Sequence, residues 1–288
     1  MEHPPCLHQT MTADQKPESS SCNWYSQLME QQPISVCMIS GPESRRIRRA
    51  LESVAGWTTE IIVVLNEEVA DGTDQIAHEF GAKVYRERWK GYVPQKNSAA
   101  EKASQPWLLG LDADEVVSPG LQREIADAIA AEARCPRHAA YSFPRCTFFA
   151  GKWIRHGDWY PDRKVLLWRR GHARWAGVEP HAALEVSGSV GRLKHDLQHY
   201  SMENLDHFVR KSIDYSDYFV RHAAVMGLQA SCLDIWGRSL WRFVRSYFLR
   251  LGFLDGWQGY CIARMTAFQT FLRYAKLRER AIAQRDTV

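Results

Sequence analysis

The first third of the chain alternates two patterns. Short, mostly apolar runs are separated by segments whose apolar residues recur every three or four positions. The runs at 34–39 (ISVCMI), 60–65 (EIIVVL), 82–85 (AKVY) and 107–111 (WLLGL) lack regular polar alternation. Short runs of that kind are expected as strands buried on both faces. Between them, 43–55 places Ile47, Leu51 and Val54 on one helical face and Arg45, Arg46, Arg48 and Arg49 outside. Further helices are expected from Asp71-Gly72-Thr73 to Phe80, closed by Gly81, and over about 93–102. Strands alternating with helices predict a parallel sheet with right-handed crossovers. A strand-like aromatic stretch follows at 143–149, and from Met202 the pattern is helical, over 204–225, 233–251 and about 257–280.

The fourth apolar run stops at Asp112-Ala113-Asp114-Glu115. Ligands of open α/β sheets bind outside the carboxyl ends of the strands. Ionised carboxylates withdrawn from water need a cation or a hydrogen-bond partner. A hard divalent ion sharing phosphate oxygens with one or two carboxylates meets that need. The plainer reading is a solvated turn, after which Ser118-Pro119 opens a helix as N-cap and first residue. No G-x-G-x-x-G and no Walker lysine loop is present, so the usual dinucleotide and P-loop readings lack their signature.

Composition narrows the class. The 288 residues are 45% apolar, with eleven Trp, enough for one large domain or a domain plus an appendage. A net charge of +4 is not that of a nucleic-acid-binding polycation, and no nucleic-acid motif accompanies the basic residues, so no nucleic-acid partner is expected. Seven scattered Cys without a CxxC suit a reducing compartment. Residues 1–33 are expected as a disordered leader, since 1–23 are polar and contain no signal-peptide apolar core. In 233–280, nine basic residues stand against three acidic ones, interleaved with Trp, Phe and Tyr. Such helices are expected to lie on an anionic membrane surface, with Arg238, Arg242 and Arg245 among the contacts. Packing on the rest of the chain is the alternative, and the two can hold for different faces.

The strand ISVCMI, the strand EIIVVL followed by ADGT, the segment GAKVYRERWKGYVPQKNSA and then LDADE together resemble a family 2 glycosyltransferase of the GT-A fold. GKWIRHGDWYPDRKVLLWRRG, GRLKHDLQHYS and FLRLGFLDGWQGY resemble its lipopolysaccharide core branch, and the resemblance runs from about residue 34 to 276. It implies an α/β GT-A domain over 34–201, with a donor half at 34–117 and an acceptor half at 118–201, followed by a helical region at 202–288. It also implies a nucleotide-sugar donor such as a UDP-sugar, with Mg2+ or Mn2+ held by Asp114, Asp112 and His199. Asn66, Gln95, Lys96 and Asp112 would contact the donor. Two positions depart from the family pattern. Ser40-Gly41-Pro42-Glu43 replaces its Lys-Asn-Glu, and Asn66 replaces its Asp after the second strand. Asn66 can still hydrogen-bond a nucleobase edge but supplies no negative charge.

Trp153, His156, Asp158, Trp159, Tyr160, Asp162 and Arg163 lie close together. Aromatic faces beside carboxylates and Arg suit a saccharide acceptor. An inverting transferase needs one general base for the acceptor hydroxyl. Glu179, Asp158 and His181 are available, with Glu179 favoured and Asp158 next. The leading expectation is therefore a metal-dependent, inverting transferase acting on a membrane glycolipid, peripheral on the inner face of the cytoplasmic membrane. A polyprenyl-phosphate acceptor, or a GT-A domain that binds glycan or membrane without turnover, are the alternatives.

Overall fold

A computed structural model describes residues 31–178, 181–202 and 204–285. In chain order the elements are β1 (Gln32–Ser40), α1 (Ile47–Glu52), β2 (Thr58–Asn66), α2 (Thr73–Glu79), β3 (Lys83–Glu87), α3 (Tyr92–Glu101), β4 (Trp107–Gly110), β5 (Glu115–Val117) and α4 (Pro119–Arg134). Then follow β6 (Ala140–Phe149), β7 (Lys152–Trp153), β8 (Asp162–Arg169), β9 (Ala173–Val178), β10 (His181–Val186), β11 (Val190–Arg192) and β12 (Leu197–His199). The chain closes with α5 (Leu205–Val225), α6 (Cys232–Val244) and α7 (Trp257–Arg285).

One mixed sheet runs β3-β2-β1-β4-β8-β6-β12-β5. Its first four strands are parallel, as the alternation of strand and helix predicts. β8 then joins β4 antiparallel, β6 joins β8 antiparallel, and β12 fits between β6 and β5. The expected donor and acceptor halves therefore share a sheet. Ile34, Val36, Ile62, Val63, Leu108 and Leu109 are buried on it, packed beneath Ile47 and Leu51 of α1 and Leu121 and Ile125 of α4. This is the mixed α/β architecture expected of the GT-A fold. Ser118 does cap α4, accepting from the Leu121 N–H with Pro119 at the first position.

Two helices differ from the sequence pattern. The helix expected over 43–55 is regular only over Ile47–Glu52. Its first residues form a turn instead, with Glu43 paired to Arg46 at 2.6 Å and the Glu43 N–H donated to Thr73 Oγ1. The helix expected over 233–251 ends at Val244 and widens into a π-helical turn over Arg245–Leu249, marked by Arg250 N–H bonding the Arg245 carbonyl at 2.8 Å. π-turns of this kind occur mostly inside or beside α-helices and often mark functional places. No helix among the described residues is long and apolar enough to cross a membrane.

The C-terminal helices pack on the 155–159 loop. Asp255, only 2% exposed, accepts from the backbone N–H of Arg155 and His156 and lies 3.2 Å from His156 Nδ1. Gly157 N–H bonds the Arg250 carbonyl at 2.9 Å. Close contact beneath this clamp needs bare glycines. A Cβ on Gly259 would stand 1.8 Å from the Gly252 carbonyl oxygen, and one on Gly252 would stand 2.6 Å from the Ser246 carbonyl.

Candidate active site

β4 delivers Asp112 and Asp114 to the carboxyl edge of the parallel strands. The turn between them is fixed by its own ends: Asp112 N–H donates to Glu115 Oε2, and Glu115 N–H donates to the Asp112 carbonyl, both at 3.0 Å. Glu115 is buried, and burial, with the nearby charge of Asp112, pushes its carboxyl up. Arg145 of β6 opposes that shift from 3.0 Å. Glu115 thus shapes the turn and leaves Asp112 and Asp114 to face outward.

Asp114 meets His199 because β12 pairs with β5 in a register that sets His199 opposite Glu115. His199 Nε2 lies 3.5 Å from Asp114 Oδ2, and Tyr200 N–H bonds the Asp114 carbonyl at 2.8 Å. Burial works to raise the Asp114 carboxyl, but His199, Arg46 and Lys211 hold it at about 2. Asp112 is more open and pairs with Lys96 Nζ at 2.7 Å.

The three residues Gln95-Lys96-Asn97 on α3 have three different surroundings. Lys96 reaches Asp112 and lies 4.6 Å from the ring centre of Trp175. Asn97 grips the backbone of Trp175 from both sides, with two hydrogen bonds of 2.9 Å. Gln95 is fully enclosed and is not among the residues on the cleft wall, which departs from its expected donor contact. Its amide has no hydrogen-bond partner among the described residues. Asn66, at the end of β2, has a buried Oδ1 likewise without a partner among the described residues.

Two cavities adjoin here. The larger, about 610 Å³, is walled by Lys96, Asp112, Asp114, His199 and Trp175, with Ala182–Leu184 of β10 opposite. The smaller, about 350 Å³, is lined by Trp159, Asp162, Ser201, Phe208, Ser212 and Gln269 among others. Arg145, His199, Lys211 and Tyr215 line both. Lys211 and Tyr215 come from α5, and nothing in the local sequence marks them, because their place depends on where α5 docks. Burial lowers the Lys211 amine and raises the Tyr215 hydroxyl. Arg46, expected on the outer face of its helix, instead turns toward Asp114 at 3.9 Å.

The three candidate bases fare differently. Glu179 lies outside the described residues. His181 begins β10 with its backbone opposite Val178, in the hairpin whose strands wall the larger cavity. Asp158 lines the smaller cavity, and its side chain is 5% exposed. Arg242, Arg245 and Arg250 approach its oxygens at 3.3, 3.2 and 3.5 Å. Asp158 is thus held in a cluster of three guanidinium groups while it lines the smaller cavity. Arg242 and Arg245, expected at a membrane surface, both pair with Asp158 and keep part of their side chains exposed. Arg238 pairs with Asp234 at 2.8 Å and stacks on Tyr274.

The acidic turn at the end of β4 faces two adjoining cavities, and the chain belongs to a known family. Residues 35–180 match the glycosyl transferase family 2 model, and the protein is a member of that family and a glycosyltransferase. Among its relatives, a Rickettsia typhi protein named as an uncharacterized glycosyltransferase is 31% identical over 88% of this chain and 90% of its own length. The lipopolysaccharide core biosynthesis glycosyltransferase LpsC of Rhizobium meliloti is 24% identical over 86% of this chain and 93% of its own. Of solved structures, S. aureus TarS 1–349 in complex with UDP-GlcNAc is similar with a TM-score of 0.45 and 12% identity, covering 87% of this chain and 92% of that one.

Proposed function

We propose that the chain transfers a sugar from a UDP-sugar, with inversion and with Mg2+ or Mn2+, to a saccharide on a membrane glycolipid of the lipopolysaccharide core type. The observation that carries this reading is the pair of adjoining cavities, acidic and cationic on one side and aromatic on the other, joined through His199, Lys211, Arg145 and Tyr215. Among the described residues no three of His, Cys, Asp and Glu converge on one point, so the expected set of Asp112, Asp114 and His199 is reduced to the latter two. Asp114 and His199 stand side by side on the cleft wall, and a hard divalent cation needs only one or two protein oxygens when phosphate and water complete its shell. Held at Asp114 and His199, such an ion would supply positive charge to a diphosphate leaving group. Lys96, Arg46 and Lys211 add fixed positive charge around the same space. Asp112, on the wall of the larger cavity, is the proposed contact to the ribose side, and Asn66, at the end of β2 but not among the residues on the cavity wall, is the proposed contact to the base.

The smaller cavity is lined by Trp159 and Phe208, packed on each other at 5.1 Å, beside Asp162, Ser201 and Gln269, a mix of aromatic and polar groups that suits a saccharide. Glu179 is the proposed general base, taking the proton of the acceptor hydroxyl as its oxygen attacks the anomeric carbon. Support comes from its sequence position, an acidic residue in the Gly177-Val178-Glu179-Pro180-His181 stretch that resembles the family's catalytic segment. Asp158 then serves to position the acceptor loop. The likeness to LpsC supports a core-oligosaccharide acceptor. Free thiols at Cys37, Cys135, Cys146, Cys232 and Cys261 support a reducing, cytoplasmic location.

Calorimetric titration with a panel of nucleotide sugars, with and without Mn2+ or Mg2+, tests the donor and the ion. Binding of a UDP-sugar that requires the ion is expected. Metal-independent binding of equal strength, or preference for another nucleotide, overturns that part of the reading. In single-turnover assays Glu179→Gln should bind donor normally and transfer on the order of 10²-fold more slowly.

A further inference from the structure

Helix α6 buries none of its residues completely, yet it is rich in large apolar side chains. Leu233 is 85% exposed, Trp236 74%, Leu240 65% and Trp241 55%. At about 100° per residue these four fall within an arc of about 140° on one face of the helix. The π-turn that follows adds Phe248 and Leu249, at 53% and 62% exposed. Arg238, Arg242 and Arg245 occupy the other face, where Arg242 and Arg245 bind Asp158. A contiguous apolar surface of this kind on a folded protein marks a docking site.

The charge around the patch selects its occupant. Between residues 233 and 280 the chain has nine Lys and Arg against three acids, of which Asp255 is buried and Asp234 is paired with Arg238. A second copy of the chain would bring the same excess of positive charge to the contact. An anionic lipid surface brings the opposite charge and an apolar layer beneath it. A Trp- and Leu-bearing helix backed by arginines, and too polar overall to span, suits that interface.

We propose that the outer face of α6 and its π-turn, centred on Trp236, Leu240 and Trp241, docks the protein on an anionic lipid surface. The attachment is made by the apolar side chains, and Arg242 and Arg245 hold the helix to the 155–159 loop from beneath. The docked face and the acceptor loop are thereby joined through Asp158 with its arginines and through the Gly157 N–H to the Arg250 carbonyl. This inference stands on the surface geometry and does not depend on the transfer chemistry.

Co-sedimentation with phosphatidylglycerol–phosphatidylcholine vesicles, without donor or acceptor, provides the test. Wild type should pellet with anionic vesicles and less with pure phosphatidylcholine. The triple variant Trp236→Ser, Leu240→Ser, Trp241→Ser should lose vesicle affinity by on the order of tenfold or more. Its circular dichroism, thermal midpoint and donor binding should stay those of wild type, since none of the three lines either cavity. Unchanged pelleting of the triple variant overturns the proposal, as does equal pelleting of wild type on neutral lipid. A concentration-dependent dimer that the triple variant loses, with no vesicle binding by wild type, assigns the face to a second copy instead.

Discussion

Replacing Asp114 by Asn keeps the shape of the side chain and removes its charge. An amide oxygen coordinates a hard cation poorly, so metal-dependent donor binding should fall below detection by calorimetry while the thermal midpoint stays close to wild type. Asp112→Asn should weaken donor binding less, because Asp112 is more open and pairs with Lys96 rather than with His199. Asp158 gives a residue-scale test of a different kind. As the partner of three arginines it should not tolerate neutralisation quietly. Asp158→Asn is expected to lower stability by about 3 kcal/mol in urea titration, since guanidinium groups are left facing one another. An unchanged midpoint with transfer abolished would instead make Asp158 the base and displace Glu179.

At the scale of elements, the C-terminal helices and the acceptor loop form one unit. Asp255 ties the loop backbone down, Ser246 and Arg250 reach it from the π-turn, and Gly252 and Gly259 let the backbones approach. Gly259→Ala places a methyl where the Gly252 carbonyl already stands, so the first turn of α7 must shift. A loss of about 1–3 kcal/mol is expected, read as a lower thermal midpoint, with faster proteolysis near 245–260. At Gly171 an added methyl would meet open space, and only the positive φ opposes it. Gly171→Ala should therefore cost less and leave the C-terminal region protected.

Across the whole molecule, several carboxylates set the response to acid. Burial works to raise Glu60 and Glu132. Hydrogen bonds from Lys83, Ser35 and Ser104 to the first, and from Arg137, Tyr141 and Arg169 to the second, hold both at about 2. Asp114 is held at a similar value by His199, Arg46 and Lys211. Each binds its proton more weakly folded than unfolded. Its contribution is therefore complete above the unfolded value of about 4 and is lost as pH falls toward 2. Stability measured by urea titration should be level from neutral pH to about 5 and drop steeply below 4. Glu132→Gln should lose about 2 kcal/mol at neutral pH and show a shallower drop in acid.

The local pattern of the chain determined the parallel strands, the turn that carries Asp112 and Asp114, and the amphipathic character of the C-terminal helices. These follow from side-chain periodicity and from the abrupt change at the end of one apolar run, which are properties of neighbours in sequence. The family was legible too, through motifs that are contiguous. Tertiary structure decided what those residues face. It brought His199 to Asp114 through the register of β12 on β5, turned Arg46 inward, and supplied Lys211 and Tyr215 from a helix with no local mark of function. It enclosed Gln95 and gave Asp158 to three arginines. The arginines and the tryptophans of α6 share one stretch of sequence, and composition alone assigns both to the same surface. Only the docked helix separates them, because the face that meets the buried carboxylate at Asp158 leaves the apolar one outside.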